Sequence, residues 1–131
     1  MRTMAQKRAE YALEKVLAVE NKRDFQSFSA GAPATILQNG FGQTLAFWLA
    51  KGTKNGKIEI TDKHIVLFDM VTEWLSFKRK DVNNEFIKVV KDRPTIIKEL
   101  TTMDQRQYLS AQSETLSLLE WIKRFANADL T

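Results

Sequence analysis

Apolar residues recur at helical rather than strand spacing along most of this chain, and the sharpest such pattern lies between Pro33 and Lys51, in PATILQNGFGQTLAFWLAK. On a helical projection Ile36, Leu37, Gly40, Phe41, Thr44, Phe47 and Trp48 share one broad face, while Leu45 and Leu49 make a second patch nearly opposite. A helix apolar on two sides is packed on two sides. Pro33 suits a first helical turn and Gly52 a stop, so the pattern predicts one central helix over 33–51. Gly40 and Gly42 inside it each cost about 1 kcal/mol relative to alanine. That cost points to a close helix crossing or a subunit contact, with Gln38, Asn39 and Gln43 as the polar remainder.

Upstream, Ala5, Ala9, Ala12, Val16 and Val19 alternate at spacings of four and three, with Leu13 and Leu17 beside them, which predicts an amphipathic helix from Thr3 to Glu20. A short helix through Phe25 and Phe28, capped by Asp24, is expected to break at Ala30 and Gly31. Downstream, Gly52 to Asp62 reads as a loop with an Asn-Gly pair and at most a brief extended piece at 58–60. Thr61 or Asp62 then caps a helix to about Arg79, with Leu67, Met70, Val71, Trp74 and Leu75 facing the core and Lys78, Arg79 and Lys80 at its carboxyl end. Asn83 or Asn84 is expected to open a short helix holding Phe86, Ile87, Val89 and Val90, and Pro94 restarts the chain for Ile96, Ile97 and Leu100. Thr102 with Gln105 forms a capping-box pattern ahead of a last helix to about Ala128. Its core face carries Tyr108, Ala111, Thr115, Leu118, Leu119, Ile122, Phe125 and Ala126. These elements predict an all-α fold, a compact bundle of about five to seven helices forming a single domain over 1–131.

Composition narrows the functional classes. A chain of 131 residues with 44% hydrophobic and 27% charged residues suits one soluble globular domain. Twenty basic against sixteen acidic residues give a net charge of +4 and a pI near 9.4, a mild bias toward polyanions. The absence of cysteine excludes disulfides, thiolate chemistry and cysteine-based zinc sites, and it agrees with a reducing cytoplasm, where the chain is expected. MRTMAQKRAE lacks the apolar core of an export signal. Phe25 to Ala50 is uncharged, but Gln26, Pro33, Gln38, Asn39 and Gln43 make it too polar for a membrane helix.

Catalytic chemistry has little to stand on. His64 is the only histidine, with Asp62 and Asp69 as its nearest acidic neighbours in sequence, too few groups for a metal site. The glycines of QNGFGQ lack the Gly-Lys-Ser/Thr of a phosphate loop, and Glu114 and Glu120 do not share a helix face. No enzyme, metal or cofactor is expected. The basic residues offer more: Arg8, Lys15 and Lys22 fall seven apart in one stripe about 21 Å long, with Tyr11 between the first two. Such a stripe can follow the phosphates of a strand, or it is a solvated face whose stems shield the core edge. Lys51, Lys54 and Lys57 make the following loop basic, Lys123 and Arg124 face outward, and Trp121 lies off the centre of its core face, as packing or as a partner contact.

ILQNGFGQTLAF resembles the ILQNGLGQxLAF signature of the small subunit of the Cmr complexes, the type III-B CRISPR-Cas effectors, with Phe41 replacing the usual leucine. WIKRFANADL, from Trp121 to Leu130, is similar to the WLKRFAxAxL ending of that family, and the basic first helix with Arg8-Ala9 and Ala12 agrees. The resemblance implies a helical, non-catalytic subunit that stacks in several copies beside the backbone and large subunits and lines the path of target RNA paired to the guide RNA. Arg8, Lys15, Lys22, Lys51, Lys123 and Arg124 are then the candidates for RNA phosphates, and Gln38, Asn39, Gln43 and Trp121 for subunit contact. The residues alone leave two other readings open, a helical adaptor that binds only protein and a free-standing RNA-binding protein.

Overall fold

The computed structural model describes residues 1–88 and 92–130 and has an all-α fold, with six helices and two short hairpins among them. The helices are α1 (Met4–Leu17), α2 (Lys22–Asn39), α3 (Phe41–Lys51), α4 (Lys63–Leu75), α5 (Arg93–Thr102) and α6 (Gln105–Ala126). Strands β1 (Thr53–Lys54) and β2 (Lys57–Ile58) pair antiparallel after α3, and β3 (Lys78–Arg79) and β4 (Val82–Asn83) do so after α4. The long α6 is the spine against which α1, α2 and α4 pack, while α3 lies on α4 and reaches α2 and α5. Its buried stripe of Ala111, Thr115, Leu118, Leu119 and Ile122 is the one its periodicity predicts. The helix is capped by Asp104 and Gln107, two residues later than the expected Thr102 and Gln105.

The expected central helix is two helices. Gly40, at φ 91° and ψ 154°, occupies a region essentially reserved for glycine, so it ends α2 and begins α3 in one residue. Its N–H still donates to Ile36 and its carbonyl accepts from Thr44 N and Thr44 Oγ1, so the turn leaves both groups satisfied. The expected break at Ala30 and Gly31 is absent, and Pro33 lies inside α2 rather than in a first turn. Phe25, Ser29, Ala32 and Ile36 are all buried at heptad-like spacing, and α2 lies along α6. Tertiary packing of that stripe outweighs the local breakers. Ser29, whose hydroxyl donates to Gln26 O, is the polar letter that hides the stripe in the sequence.

Other boundaries move for similar reasons. In α1 the core positions are Tyr11, Ala12 and Val16, with Ala5 exposed. Helix α4 is capped by Asp62 and ends at Leu75, not Arg79. Its last carbonyls are taken by the returning chain: Asn84 Nδ2 donates to Trp74 O, and Phe86 N and Ile87 N donate to Leu75 O. Lys78 to Lys80 therefore belong to a hairpin, with Lys80 at φ 56°, and no helix opens at Asn83 or Asn84. Val89 and Val90 lie outside the described residues. The Asn55-Gly56 pair, at φ 53° and 78°, makes the β1–β2 turn. None of the helices among the described residues is long and apolar enough to cross a membrane.

One surface tie is pH-sensitive. Hydrogen bonding to the Arg2 guanidinium holds the Asp81 carboxyl down at about 2, joining the chain start to the β3–β4 turn. An unfolded aspartate titrates near about 3.9, so the unfolded chain binds the extra proton and the tie contributes fully only above that pH. Its contribution should fade as pH falls from about 4 to about 2. Asp81→Asn should lower the melting temperature at pH 7, with the difference from the parent closing toward pH 2. A constant difference across that range would show that the charge of Asp81 is not its cause.

Candidate nucleic-acid interface

The basic stripe along α1 and the start of α2 is engaged by partners within the fold. Arg8 donates from both Nε and Nη2 to the two carboxylate oxygens of Glu114 on α6, the second bond at 2.9 Å. The side chains are only 20% and 6% exposed. Glu114 also accepts the indole N–H of Trp74 at 2.9 Å, so one buried carboxylate joins α1, α4 and α6. The hydrogen bonds to Glu114 push the Arg8 guanidinium above its ordinary value in spite of desolvation. Lys15 pairs with Glu73 at 3.1 Å, and Lys22 Nζ donates to the carbonyls of Val16 and Leu17, closing the end of α1. Tyr11 is core: its hydroxyl donates to Met70 O at 2.7 Å and its ring packs on Trp74 and Phe77.

The remaining cation candidates stand differently. Lys51 is exposed at the end of α3 with its ammonium 5.7 Å from the centre of the Phe47 ring. Among the described residues neither Lys51 nor Lys123 has an ion-pair partner, and Arg124 has only Glu120 at 3.9 Å. Trp121 is partly buried and packs on Phe125. Gln38, Asn39 and Gln43 are all exposed, and so are Leu37 and Phe47, which the projection had placed on the core face. The signature stretch thus divides into a buried part, Ile36, Phe41, Thr44 and Leu45, continued by Trp48, and an exposed part that the core does not use. Gly42 belongs to the fold: its N–H donates to Tyr108 Oη at 2.6 Å, and an added Cβ would stand 3.1 Å from that oxygen.

The sequence pattern misses Glu114 as the partner of Arg8, because residues 106 apart in the chain carry no local signal of pairing. It also misses the exposure of Phe47, although the spacing of Gln43, Phe47 and Lys51 at successive fours is a signal available in the sequence. His64 is occupied structurally. Its Nδ1 lies 2.8 Å from Asp62 Oδ1 and its ring packs on Phe28, while its backbone N–H donates to the same carboxylate. Burial would raise the Asp62 carboxyl, but these hydrogen bonds outweigh it and hold it below the usual range. Among the described residues no three His, Asp or Glu side chains converge as metal ligands.

The charges also separate by face. The groove between the end of α1, the start of α2 and α4 carries Glu20, Asp24, Asp62, Asp69 and Glu73, of which Glu73 is paired with Lys15 and Asp69 with Arg93, beside Lys63. The remaining excess of carboxylates disfavours a phosphate backbone there.

Comparison with known proteins places this arrangement. The family described as CRISPR-associated protein (Cas_Cmr5) matches residues 4–129. The crystal structure of a CRISPR-associated Cmr5 family protein from Thermus thermophilus superposes with a TM-score of 0.71 at 25% sequence identity, covering 100% of both chains. The match takes in the 36–47 motif, nearly all of the 121–130 motif and all six helices among the described residues, so the chain belongs to the Cmr5 family, the small helical subunit of the type III-B CRISPR-Cas (Cmr) effector complex.

Proposed function

We propose that this chain is a non-catalytic spacer of the Cmr effector, stacked in several copies along the backbone subunits in the cytoplasm, where it helps hold the path of guide and target RNA during antiviral defence. The observation that supports this reading is the division of its cations. Arg8, Lys15 and Lys22 serve the fold, whereas among the described residues Lys51 and Lys123 have no ion-pair partner and Arg124 has only the exposed contact to Glu120 at 3.9 Å, which leaves them available to phosphates. The acidic groove repels RNA from the face that carries it. Such a subunit contributes backbone contacts, while base pairing with the guide reads sequence. Leu37, Gln38 and Asn39, exposed at the end of α2, and the open edge of Trp121 are the surfaces for neighbouring subunits. Contacts of this kind that repeat without closing generate a filament able to follow a regular duplex.

The test is the salt dependence of target-RNA binding by the reconstituted complex. Each cation removed from a single-strand phosphate should flatten the slope of log affinity against log salt by about 0.7. Combined Lys51→Gln, Lys123→Gln and Arg124→Gln should therefore flatten it by about 2. Lys15→Gln and Lys22→Gln should leave the slope unchanged. An unaltered slope in the triple variant would remove these cations from the RNA path.

A further inference from the structure

The outer face of α3 carries Gln43, Ala46, Phe47, Ala50 and Lys51, all exposed, and among the described residues neither the core nor the hydrogen bonds of the fold use their side chains. Phe47 is 52% exposed. Its neighbours along the strip are alanines, whose single methyl groups leave the flat ring uncovered from the sides. Gln43 stands one turn before it with an amide that donates and accepts, and Lys51 stands one turn after it. Lys51 leads directly into the β1–β2 hairpin, where Lys54 and Lys57 are cross-strand partners, with the carboxylates of Glu59 and Asp62 nearby. An aromatic face set among cations on a protein with a positive net charge is the arrangement that takes a nucleobase on the ring and its phosphates on the ammonium groups.

We infer that this strip is a stacking site for an unpaired nucleotide, with the base on Phe47 and its flanking phosphates on Lys51 and the β1–β2 hairpin. The inference rests on the RNA-path reading above and adds a class of ligand to it. A base inside a duplex is covered on both faces by its neighbours, so a site built on an aromatic face takes single-stranded or unpaired RNA rather than the guide–target duplex itself. The Lys51 ammonium lies over the ring, 5.7 Å from its centre, so a stacking base takes the other face of the ring or displaces that ammonium toward its own phosphate. A partner protein helix could also lie on Phe47 and the two alanines. The three lysines that continue the strip favour the polyanion.

The test uses the reconstituted Cmr complex and two target RNAs, one with unpaired 4-thiouridine nucleotides beside the guide-paired segment and one trimmed to that segment. Phe47→Ala and Phe47→Leu should each weaken binding of the first RNA about tenfold, whereas Phe47→Trp should retain it. All three should bind the trimmed RNA like the parent, and 4-thiouridine should crosslink to the peptide containing Phe47. Phe47→Leu keeps the apolar bulk and removes the aromatic face. Parent-like RNA binding by that variant would overturn the stacking site, and loss of the Phe47→Ala chain from the complex would assign the strip to a protein contact instead. Crosslinks confined to the region of Lys123 and Arg124, with Phe47 variants unaffected, would overturn the stacking site alone. No crosslink anywhere in this chain would overturn the RNA-path reading with it.

Discussion

Replacing Glu114 by alanine should lower the free energy of unfolding by about 3 kcal/mol and the melting temperature by about 10 °C. The change strands the Arg8 guanidinium against the core edge and leaves the Trp74 indole N–H without its acceptor. The figure sits at the low end for a buried pair because Arg8 retains 20% exposure, which lets water reach part of the charge. Glu114→Gln keeps one oxygen for Trp74 and Arg8 Nε while losing the charge and the acceptor for Arg8 Nη2, so its loss should be smaller than that of Glu114→Ala. Denaturant unfolding of the three proteins checks the order. A loss below about 1 kcal/mol for Glu114→Ala, the value of a surface pair, would show that the carboxylate does not tie the three helices together. The same geometry bears on how RNA binding is probed. A carboxylate placed at Arg8 would face Glu114 and unfold the chain, so charge reversal there reports on folding rather than on phosphates.

Gly52→Ala should cost about 2 kcal/mol, a large effect for one methyl group. The backbone at Gly52 has φ −84° and ψ 4°, which any residue adopts, so conformational freedom is not why glycine stands there. The reason is space. An added Cβ would lie 2.2 Å from Cγ1 and 2.3 Å from Cδ1 of Ile65, which is fully buried, so the core must shift to accept it. Ile65→Ala alone should also destabilise, by the cavity it leaves. Combined, the two changes should be less damaging than their sum, because the new methyl enters the vacated space. Additive losses in that double-mutant cycle would contradict the close approach of Gly52 and Ile65.

Much of this fold is legible in the sequence because it is written in local periodicity. The stripe of α6, the Asp62 cap, Pro94 near the start of α5 and the Asn-Gly turn all follow from spacing and residue chemistry. What is not legible depends on partners far away in the chain. Helix α2 runs through Gly31 and Pro33 because α6 receives its buried face, and α4 stops at Leu75 because Asn84, Phe86 and Ile87 return to cap it. The glycine at 40 is visible as unusual, but only its positive φ distinguishes a break from a close crossing. The candidate site divides in the same way. Arg8 and Lys15 do lie along α1 and Lys22 opens α2, yet carboxylates and carbonyls of distant or neighbouring segments claim them, whereas Lys51 and Lys123 have no ion-pair partner among the described residues.

In the function proposed above, this subunit lies on the RNA path of the Cmr effector and touches RNA through the ends of α3 and α6. The most direct measurement is to tag the chain in its native cells, isolate the complex, irradiate it, and map the peptides of this chain that carry crosslinked RNA. The predicted result is guide and target RNA co-purifying with the other Cmr subunits, with crosslinks in the peptides around Lys51 and around Lys123 and Arg124. A Cmr complex that retains its RNA but yields no crosslink to this chain would contradict that claim and leave a subunit that binds only protein.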